Sequence, residues 1–415
     1  MGPRYGWYVG WIYGFALLAT VASVDSGAGS YVATLANKWF GTHWDATNHS
    51  TLIAITLSII VLSAILNSVG AKVMGQIARF GVYVETIGTF GVFVALAIKG
   101  FHHGFSYIFT TQGVAHTNPL GVNFSGHWLT GAALVAVLAN VYIFFGFESA
   151  GDIAEETVEA QRQVPRAMRS ALIYGGVASF ILVLGLLLAV PGGAHGIDQV
   201  ISGGVPLILS ALPGWLQDFF LVMVIIAFFS CGTAVQGAGA RVAFALARDN
   251  ALPGSRQLAS LSKTHKTPTN AILVGTIIPA LFTLLVTVNP PKNGWHILWF
   301  DYPASVNALY ALVSFATSGI YLSFLLTMLG ALRARLKGWT PGGAFNLGKW
   351  GLPVNVIGVA YLFFMLLNIV WPSSLSSGRA WFNYGWVTLV VMTVIALIGA
   401  LYEFIARPDR KINKQ

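Results

Sequence analysis

The chain has few charged residues and a single cysteine. Of its 415 residues, 9% are charged, whereas soluble domains carry roughly a quarter. Because Cys231 is the only cysteine, an intramolecular disulfide and a metal site built from cysteines are excluded. Cys231 lies within an apolar run, so we expect it to be a small buried side chain.

Motifs of several enzyme and pump classes are also missing. No phosphate-binding glycine loop is present, which argues against an ATP-driven pump within this chain. An integral-membrane enzyme is an alternative, but neither H-E-x-x-H nor G-x-S-x-G occurs. The net charge of +9 comes from basic residues spread through short loops, which disfavours nucleic-acid binding. We expect no enzyme activity, no cofactor and no metal site.

Long apolar runs are the dominant feature of the chain, which is 56% hydrophobic with a mean hydropathy of +0.71. A helix needs roughly 20 apolar residues to cross the hydrocarbon layer. The runs are too long for barrel strands and lack their alternation. The sequence therefore predicts an all-α polytopic membrane protein, with residues 1–415 forming one transmembrane domain. About ten spans are predicted, at 6–34, 51–69, 78–98, 128–151, 168–190, 216–243, 270–288, 304–330, 352–371 and 383–405.

The basic residues indicate the orientation of these spans. If the N-terminus is cytoplasmic, the outer loops hold only four of the 23 lysines and arginines, and the inner segments hold the other 19. The positive-inside rule expects such a bias. We therefore predict that both termini are cytoplasmic in a multi-pass protein of the plasma membrane. The segment 191–215, rich in Gly and Pro, is predicted to be an irregular external cap.

Three acidic residues lie inside predicted spans: Asp25, Glu85 and Glu148. An ionisable group at that depth costs at least about 2.5 kcal/mol, so a functional role is the default hypothesis. The alternative is a protonated or hydrogen-bonded carboxyl group that only fastens the bundle. Asp25 and Glu85 are candidates for proton or ion coupling, and for Asp25 both interpretations stay open.

Glu148 is distinguished by its neighbours. It follows Gly146 and Phe147 and precedes Ser149, Ala150 and Gly151, so the helix is weak at this point. A break would free backbone groups, which hydrocarbon tolerates only where they line a cavity or meet a ligand. Interrupted helices at mid-membrane are how many transporters bind their solutes. The alternative is a continuous helix whose glycine allows close packing.

Several segments resemble the amino acid–polyamine–organocation permeases. The sixth helix and following loop of that family are similar to FGFESAGDIAEET and VPRAMRSAL, and the link between its eighth and ninth helices is similar to RVAFALARDNALPGSRQLASLSKTHKTPTNAIL. Its third helix is similar to GPRYGWYVGWIYGFALLATVASVDSGAGS. PGGAFNLGKWGLPVNVIGVAY resembles the branch that includes γ-aminobutyrate, choline and polyamine permeases.

The resemblance implies a fold of two inverted five-helix repeats plus two further helices. Substrate would bind at a broken sixth helix formed by Gly146, Phe147, Glu148 and Ser149, with backbone carbonyls meeting its ammonium group and Phe147 as a gate or wall. Residues of the eighth helix, Ser230 and Thr233 among them, would lie near the path of the ion or substrate. The implied activity is secondary active transport of an amino acid or related amine by alternating access, coupled to H⁺ or Na⁺. Its partners would be that solute, the coupling ion and membrane lipid.

The chain departs from the family pattern at its start. Family members have twelve spans, and this sequence begins at what matches the third. We therefore expect an N-terminally incomplete version of the fold, and the alternative function is a transport-inactive fragment of such a permease.

Overall fold

The structure, a computed structural model, describes residues 1–44, 49–110, 132–192, 196–286, 295–297, 300–302, 308–343, 345–370 and 386–408. Within these residues the chain is helical almost throughout, which confirms the predicted all-α class. Besides the helices and the loops that connect them, these residues include two three-residue strands, β1 (Trp295–Ile297) and β2 (Phe300–Tyr302), which pair as an antiparallel hairpin.

The helices follow the predicted apolar runs. Among the described residues, eight helices are long and apolar enough to cross a membrane, and the shorter apolar helix α10 accompanies them. The helices are α1 (Pro3–Phe40), α2 (His49–Val69), α3 (Ala71–Lys99), α4 (Ala132–Ile143), α5 (Ser149–Asp152), α6 (Ala160–Leu188), α7 (Gly196–Leu209), α8 (Gly214–Arg248), α9 (Ser255–Leu258), α10 (Thr269–Val286), α11 (Ala308–Leu336), α12 (Gly351–Val370) and α13 (Val387–Ala406).

The prediction of an irregular segment at 191–215 is wrong. Most of that segment forms helix α7, which is kinked at Gly204 (φ +63°). Gly and Pro favour irregular structure. Here Gly204 leaves the helical conformation (φ +63°, ψ −164°) and Pro206 lies just beyond it, so α7 consists of two short helical stretches that meet at a kink.

Helix α1 lies at the centre of the bundle. It packs chiefly against α8 and α11, and 61% of its apolar stretch is buried, against 6% for α13. Small residues let the backbones approach closely. A Cβ atom on Gly319 of α11 would lie 2.6 Å from the Cβ of Ala16 on α1. The central position of α1 therefore depends on the absence of a side chain at Gly319.

Buried polar side chains join α2 to α8. The Asn67 amide donates to the Thr233 carbonyl at 3.0 Å and to Gln236 Oε1 at 3.2 Å. Gln236 in turn donates to the Ile60 carbonyl at 3.2 Å. Because each buried polar group in this set has a partner, the network stabilises one register of the two helices.

The two ends of the chain meet on one side of the bundle. Arg4, near the start of α1, forms an ion pair of 2.6 Å with Glu403, near the end of α13. The hydroxyl group of Tyr8 donates to the Ala396 carbonyl at 2.6 Å. These contacts hold the start of α1 beside the end of α13.

Candidate functional site

The predicted break in the fourth span is present. Helix α4 ends at Ile143, and the backbone at Gly146 has φ +102°. L-residues rarely adopt that conformation, whereas glycine adopts it readily. A Cβ atom at Gly146 would meet nothing within 4 Å. Glycine is therefore required here by the backbone conformation and not by close packing.

Glu148 stabilises the break through a hydrogen bond to the backbone. The amide of Gly146 donates to Glu148 Oε2 at 2.8 Å instead of continuing the helix. The chain then turns, because the Ser149 amide donates to the Gly146 carbonyl at 3.2 Å and the Gly151 amide to the Glu148 carbonyl at 2.7 Å. One carboxylate oxygen of Glu148 therefore stabilises the interrupted backbone.

Two polar groups at the break are buried without a hydrogen-bond partner among the described residues: the second carboxyl oxygen of Glu148, Oε1, and the hydroxyl group of Ser149. Buried polar atoms in native proteins nearly always have a partner, so unsatisfied ones need an explanation. A ligand that donates hydrogen bonds would satisfy both.

A cavity of about 300 Å³ opens beside the break. It lies between the end of α4, helix α6 and helix α8, and the residues before and after the break face it. Its lining residues are Ile143, Phe144, Phe145, Gly146, Phe147, Ser149, Ala171, Leu172, Gly175, Cys231, Ala234 and Val235.

Three of the four predicted binding residues reach this cavity: Gly146, Phe147 and Ser149. Phe147 also packs against Phe324 of α11, with ring centroids 5.6 Å apart, so its ring forms part of a wall. Glu148 is not a lining residue. It lies behind the break, where its carboxylate accepts the hydrogen bond from Gly146.

The expectation that Cys231 is buried is wrong. Its side chain is exposed and lines the cavity. The next residue on α8, Gly232, lies directly against the carboxyl group of Asp25 on α1, where a Cβ atom would clash. Asp25 is fully buried, and neither of its carboxyl oxygens has a hydrogen-bond partner in the described part of the chain. Among the acids predicted inside spans, Asp25 therefore lies buried close to the cavity wall.

The other predicted coupling residues are not lining residues of the cavity. Glu85 on α3 lies near the cavity-lining Cys231, close enough for an electrostatic interaction, and its side chain is not covered by the described part of the chain. Ser230 donates to the Ile77 carbonyl at 3.1 Å, and Thr233 shares a 2.9 Å hydrogen bond with Ser63. Both hydroxyl groups hold α8 against neighbouring helices, and neither lines the cavity.

Sequence reasoning missed a set of polar contacts that follows the break. The hydroxyl group of Tyr13 on α1 donates to Asp152 Oδ2 at 2.8 Å. The acids that follow Asp152 form ion pairs with arginines of α8. Arg241 donates two hydrogen bonds to the Glu156 carboxylate, at 2.7 and 3.1 Å. Arg248 donates to the Glu155 carboxylate from both terminal guanidinium nitrogens, each at 2.8 Å. The consecutive acids in the stretch IAEET indicate that ion pairs form here, but the sequence does not show which basic residues are their partners.

The Arg248–Glu155 contact is a two-pronged, solvent-exposed ion pair. Hydrogen bonds from the Arg248 guanidinium hold the pKa of the Glu155 carboxylate below its usual value. The pair joins the segment after the break to the end of α8, and so does the Arg241–Glu156 pair. These two bidentate ion pairs fix the orientation of that segment on α8.

Comparison with known proteins identifies the family. The family model described as amino acid permease matches residues 1–397. The chain belongs to the amino acid permease family. The resemblance to the amino acid–polyamine–organocation permeases is thereby confirmed, as are a multi-pass membrane protein and a permease of amino acids.

Individual relatives are distant but extend over most of the chain. A Macrophomina phaseolina protein provisionally named as an amino acid/polyamine transporter is 26% identical over 88% of this chain and 76% of its own length. The amino-acid permease BAT1 of Arabidopsis thaliana is 22% identical over 97% of this chain and 77% of its own length. Amino-acid permease 2 of Neurospora crassa is 25% identical over 84% of this chain, which covers 60% of that relative.

Proposed function

We propose that this permease carries out secondary active transport of an amino acid or related amine by alternating access, coupled to a proton or ion gradient. The observation that carries the proposal is the interruption at Gly146 beside a cavity. The family supports an amino acid as solute. We further propose the plasma membrane as the location, with both termini cytoplasmic, on the strength of the distribution of lysine and arginine.

The ammonium group of the solute would bind at the break. Gly146 and Ser149 line the cavity, Glu148 Oε1 is buried behind them without a partner among the described residues, and an ammonium group donates three hydrogen bonds. Helix interruptions in transporters also present backbone carbonyls to cations. The solute would therefore replace the hydrogen bonds that the fold leaves unmade.

Asp25 is the better supported of the two coupling candidates. A carboxylate that is fully buried without a partner is unfavourable unless it binds a proton or a cation. Asp25 meets that description, and it lies against Gly232 next to the cavity-lining Cys231. Glu85 also lies near Cys231, but the described part of the chain does not enclose it as it encloses Asp25. Proton or ion binding at Asp25 would change the α1–α8 contact beside the cavity.

Uptake into proteoliposomes tests the role of Glu148. The variant Glu148→Gln keeps an oxygen that can accept the hydrogen bond from Gly146 but removes the negative charge. A hydrogen bond to a charged group contributes about 1.5–3 kcal/mol. We therefore expect the KM for a labelled amino acid to rise about 10- to 150-fold, at 1.4 kcal/mol per factor of ten.

The matched control is Glu159→Gln, which removes a carboxylate from an exposed position between the break and α6. Its KM should equal that of the wild type. If Glu148→Gln also transports with an unchanged KM and an unchanged pH dependence, Glu148 has no part in binding. If saturable, gradient-dependent uptake is absent from the wild-type chain, the proposed function is wrong.

A further inference from the structure

We propose that a patch of basic and aromatic side chains, formed by α6, α11 and the loop that leads into α12, binds the headgroup of an anionic phospholipid. We call it the basic–aromatic patch. Its members are Arg169, Arg335, Trp339, Phe345, Lys349 and Trp350. The inference does not depend on the proposed transport activity, and it is drawn from the contacts, the charge and the position of these side chains.

Two arginines of the patch lie over aromatic rings. The Arg169 guanidinium on α6 lies over the ring of Phe345, with its Cζ 5.9 Å from the ring centroid. The Arg335 guanidinium at the end of α11 lies over the ring of Trp339, at 5.7 Å. A guanidinium group can stack on an aromatic ring and also donate hydrogen bonds to a phosphate. Both arginines are therefore held in place by rings that do not neutralise their charge.

Arg335 is also fixed against the start of α12. A Cβ atom on Gly351 would come within 2.5 Å of Arg335 Nη1, so the guanidinium lies directly on the backbone there. Its Nε atom is buried without a hydrogen-bond partner among the described residues. Buried polar atoms nearly always have a partner, so this guanidinium lacks a counterpart that the described part of the chain does not supply.

The sequence around the patch contains no acid that could neutralise it. Residues 160–197 and 302–402, which include the whole patch, contain no Asp or Glu. Glu155, Glu156 and Glu403 pair with other arginines. Glu159 precedes α6 and lies about 15 Å from Arg169 along the helix axis. An anion from outside the chain would therefore supply the missing negative charge.

The tryptophans place the patch at the surface of the bilayer. The apolar span of α11 ends at Leu336 and that of α12 begins at Gly348, and Trp339 and Trp350 beside these ends are 51% and 64% exposed. Exposed tryptophans at span ends are typical of the membrane–water interface. The basic side chains of the patch therefore lie at the depth of the lipid phosphate groups.

The patch faces the leaflet on the side where the chain begins. Arg333, near the end of α11, has its Nη1 3.8 Å from the sulfur of Met1. In the proposed orientation that side is cytoplasmic. Anionic lipids of the cytoplasmic leaflet attract lysine and arginine next to membrane spans, which favours such a lipid as the source of the phosphate.

Titration with single lipids tests the proposal. The whole chain, purified in a neutral detergent, is titrated with phosphatidylglycerol or with phosphatidylcholine of the same acyl chains, and bound lipid is counted by native mass spectrometry. Each Lys or Arg near an anionic surface contributes roughly fivefold to affinity. With three basic residues in the patch, we expect phosphatidylglycerol to bind roughly 100-fold more tightly than phosphatidylcholine.

The double variant Arg169→Gln with Lys349→Gln should reduce that preference roughly 25-fold. Both residues are exposed, so the fold should be unaffected, which thermal unfolding will check. The matched control is Arg256→Gln with Lys263→Gln, which removes the same charge from exposed positions between α8 and α10 and should leave the preference unchanged.

Three results would overturn the proposal. They are equal binding of the two lipids by the wild type, an equal loss of preference in the control variant, and displacement of phosphatidylglycerol by excess glycerol 3-phosphate, which would indicate a site for a soluble anion. Each of them leaves the proposed transport function standing, because none of the measurements involves transport.

Discussion

The substitution Gly146→Ala isolates the conformational requirement of the break. A Cβ atom at this position meets nothing within 4 Å, so the change adds no clash. What it adds is strain, because Gly146 has φ +102° and an L-residue held in such a conformation costs about 1–3 kcal/mol.

This strain should lower either the free energy of unfolding or the affinity for the solute. If the segment stays interrupted, the free energy of unfolding falls by the same 1–3 kcal/mol. If the segment rewinds into helix instead, the hydrogen bond from Gly146 to Glu148 is lost and only the fraction of molecules that remains broken binds solute. The apparent Kd then rises by up to about 5- to 150-fold, since affinity scales with the competent fraction.

The assays are thermal unfolding in detergent and equilibrium binding of a labelled amino acid that the wild type transports, carried out on Gly146→Ala and on a matched variant. Gly75→Ala is the control, because Gly75 lies within α3, its added Cβ meets nothing within 4 Å and its φ is ordinary. There we expect a gain of about 0.5–1 kcal/mol, as for a glycine replaced within a helix. If Gly146→Ala matches Gly75→Ala in both stability and affinity, the reasoning about the break is refuted.

Three further predictions concern packing, coupling and the exposed ion pair. Gly319→Ala should lower stability by about 1–3 kcal/mol through overpacking against α1, and Ala16→Gly should restore much of the loss, as thermal unfolding of the single and double variants will show. Asp25→Asn should abolish accumulation driven by a pH or ion gradient while leaving solute exchange between the two sides intact; unchanged gradient-driven accumulation would exclude Asp25 from coupling. Because the pKa of Glu155 is lowered in the folded state, its pair with Arg248 stabilises above the ordinary carboxylate pKa and loses that contribution as the pH falls through the lowered value. A double-mutant cycle of this exposed pair should give at most a small coupling, below about 1 kcal/mol, at neutral pH and none in strong acid.

The fold class and the break could both be predicted from the sequence. Apolar runs of span length predict membrane helices because a bilayer imposes one length on them. Gly146 followed by Glu148 predicted an interruption because glycine weakens a helix and an acid is costly in hydrocarbon. The structure adds that the acid serves the break itself, by accepting the hydrogen bond from the Gly146 amide.

The features that could not be predicted depend on the rotation of each helix about its axis, which decides the neighbours that each face contacts. Helix α8 is apolar over most of its length, so its pattern does not reveal that Cys231 faces the cavity while Ser230 and Thr233 face neighbouring helices. The contact of Tyr13 with Asp152 joins residues 139 positions apart in the chain. Such long-range pairs are set by helix packing, which a single sequence leaves open.

The most direct test of the central claim is a cryo-EM structure of the whole chain in lipid nanodiscs with a saturating amino acid that the protein transports. The account predicts that the backbone remains interrupted at Gly146 and that ligand density lies in the cavity, with the ammonium group near Ser149 and Glu148 and the side chain between α6 and α8. A continuous helix through Gly146, or an amino acid bound away from the break, would contradict it.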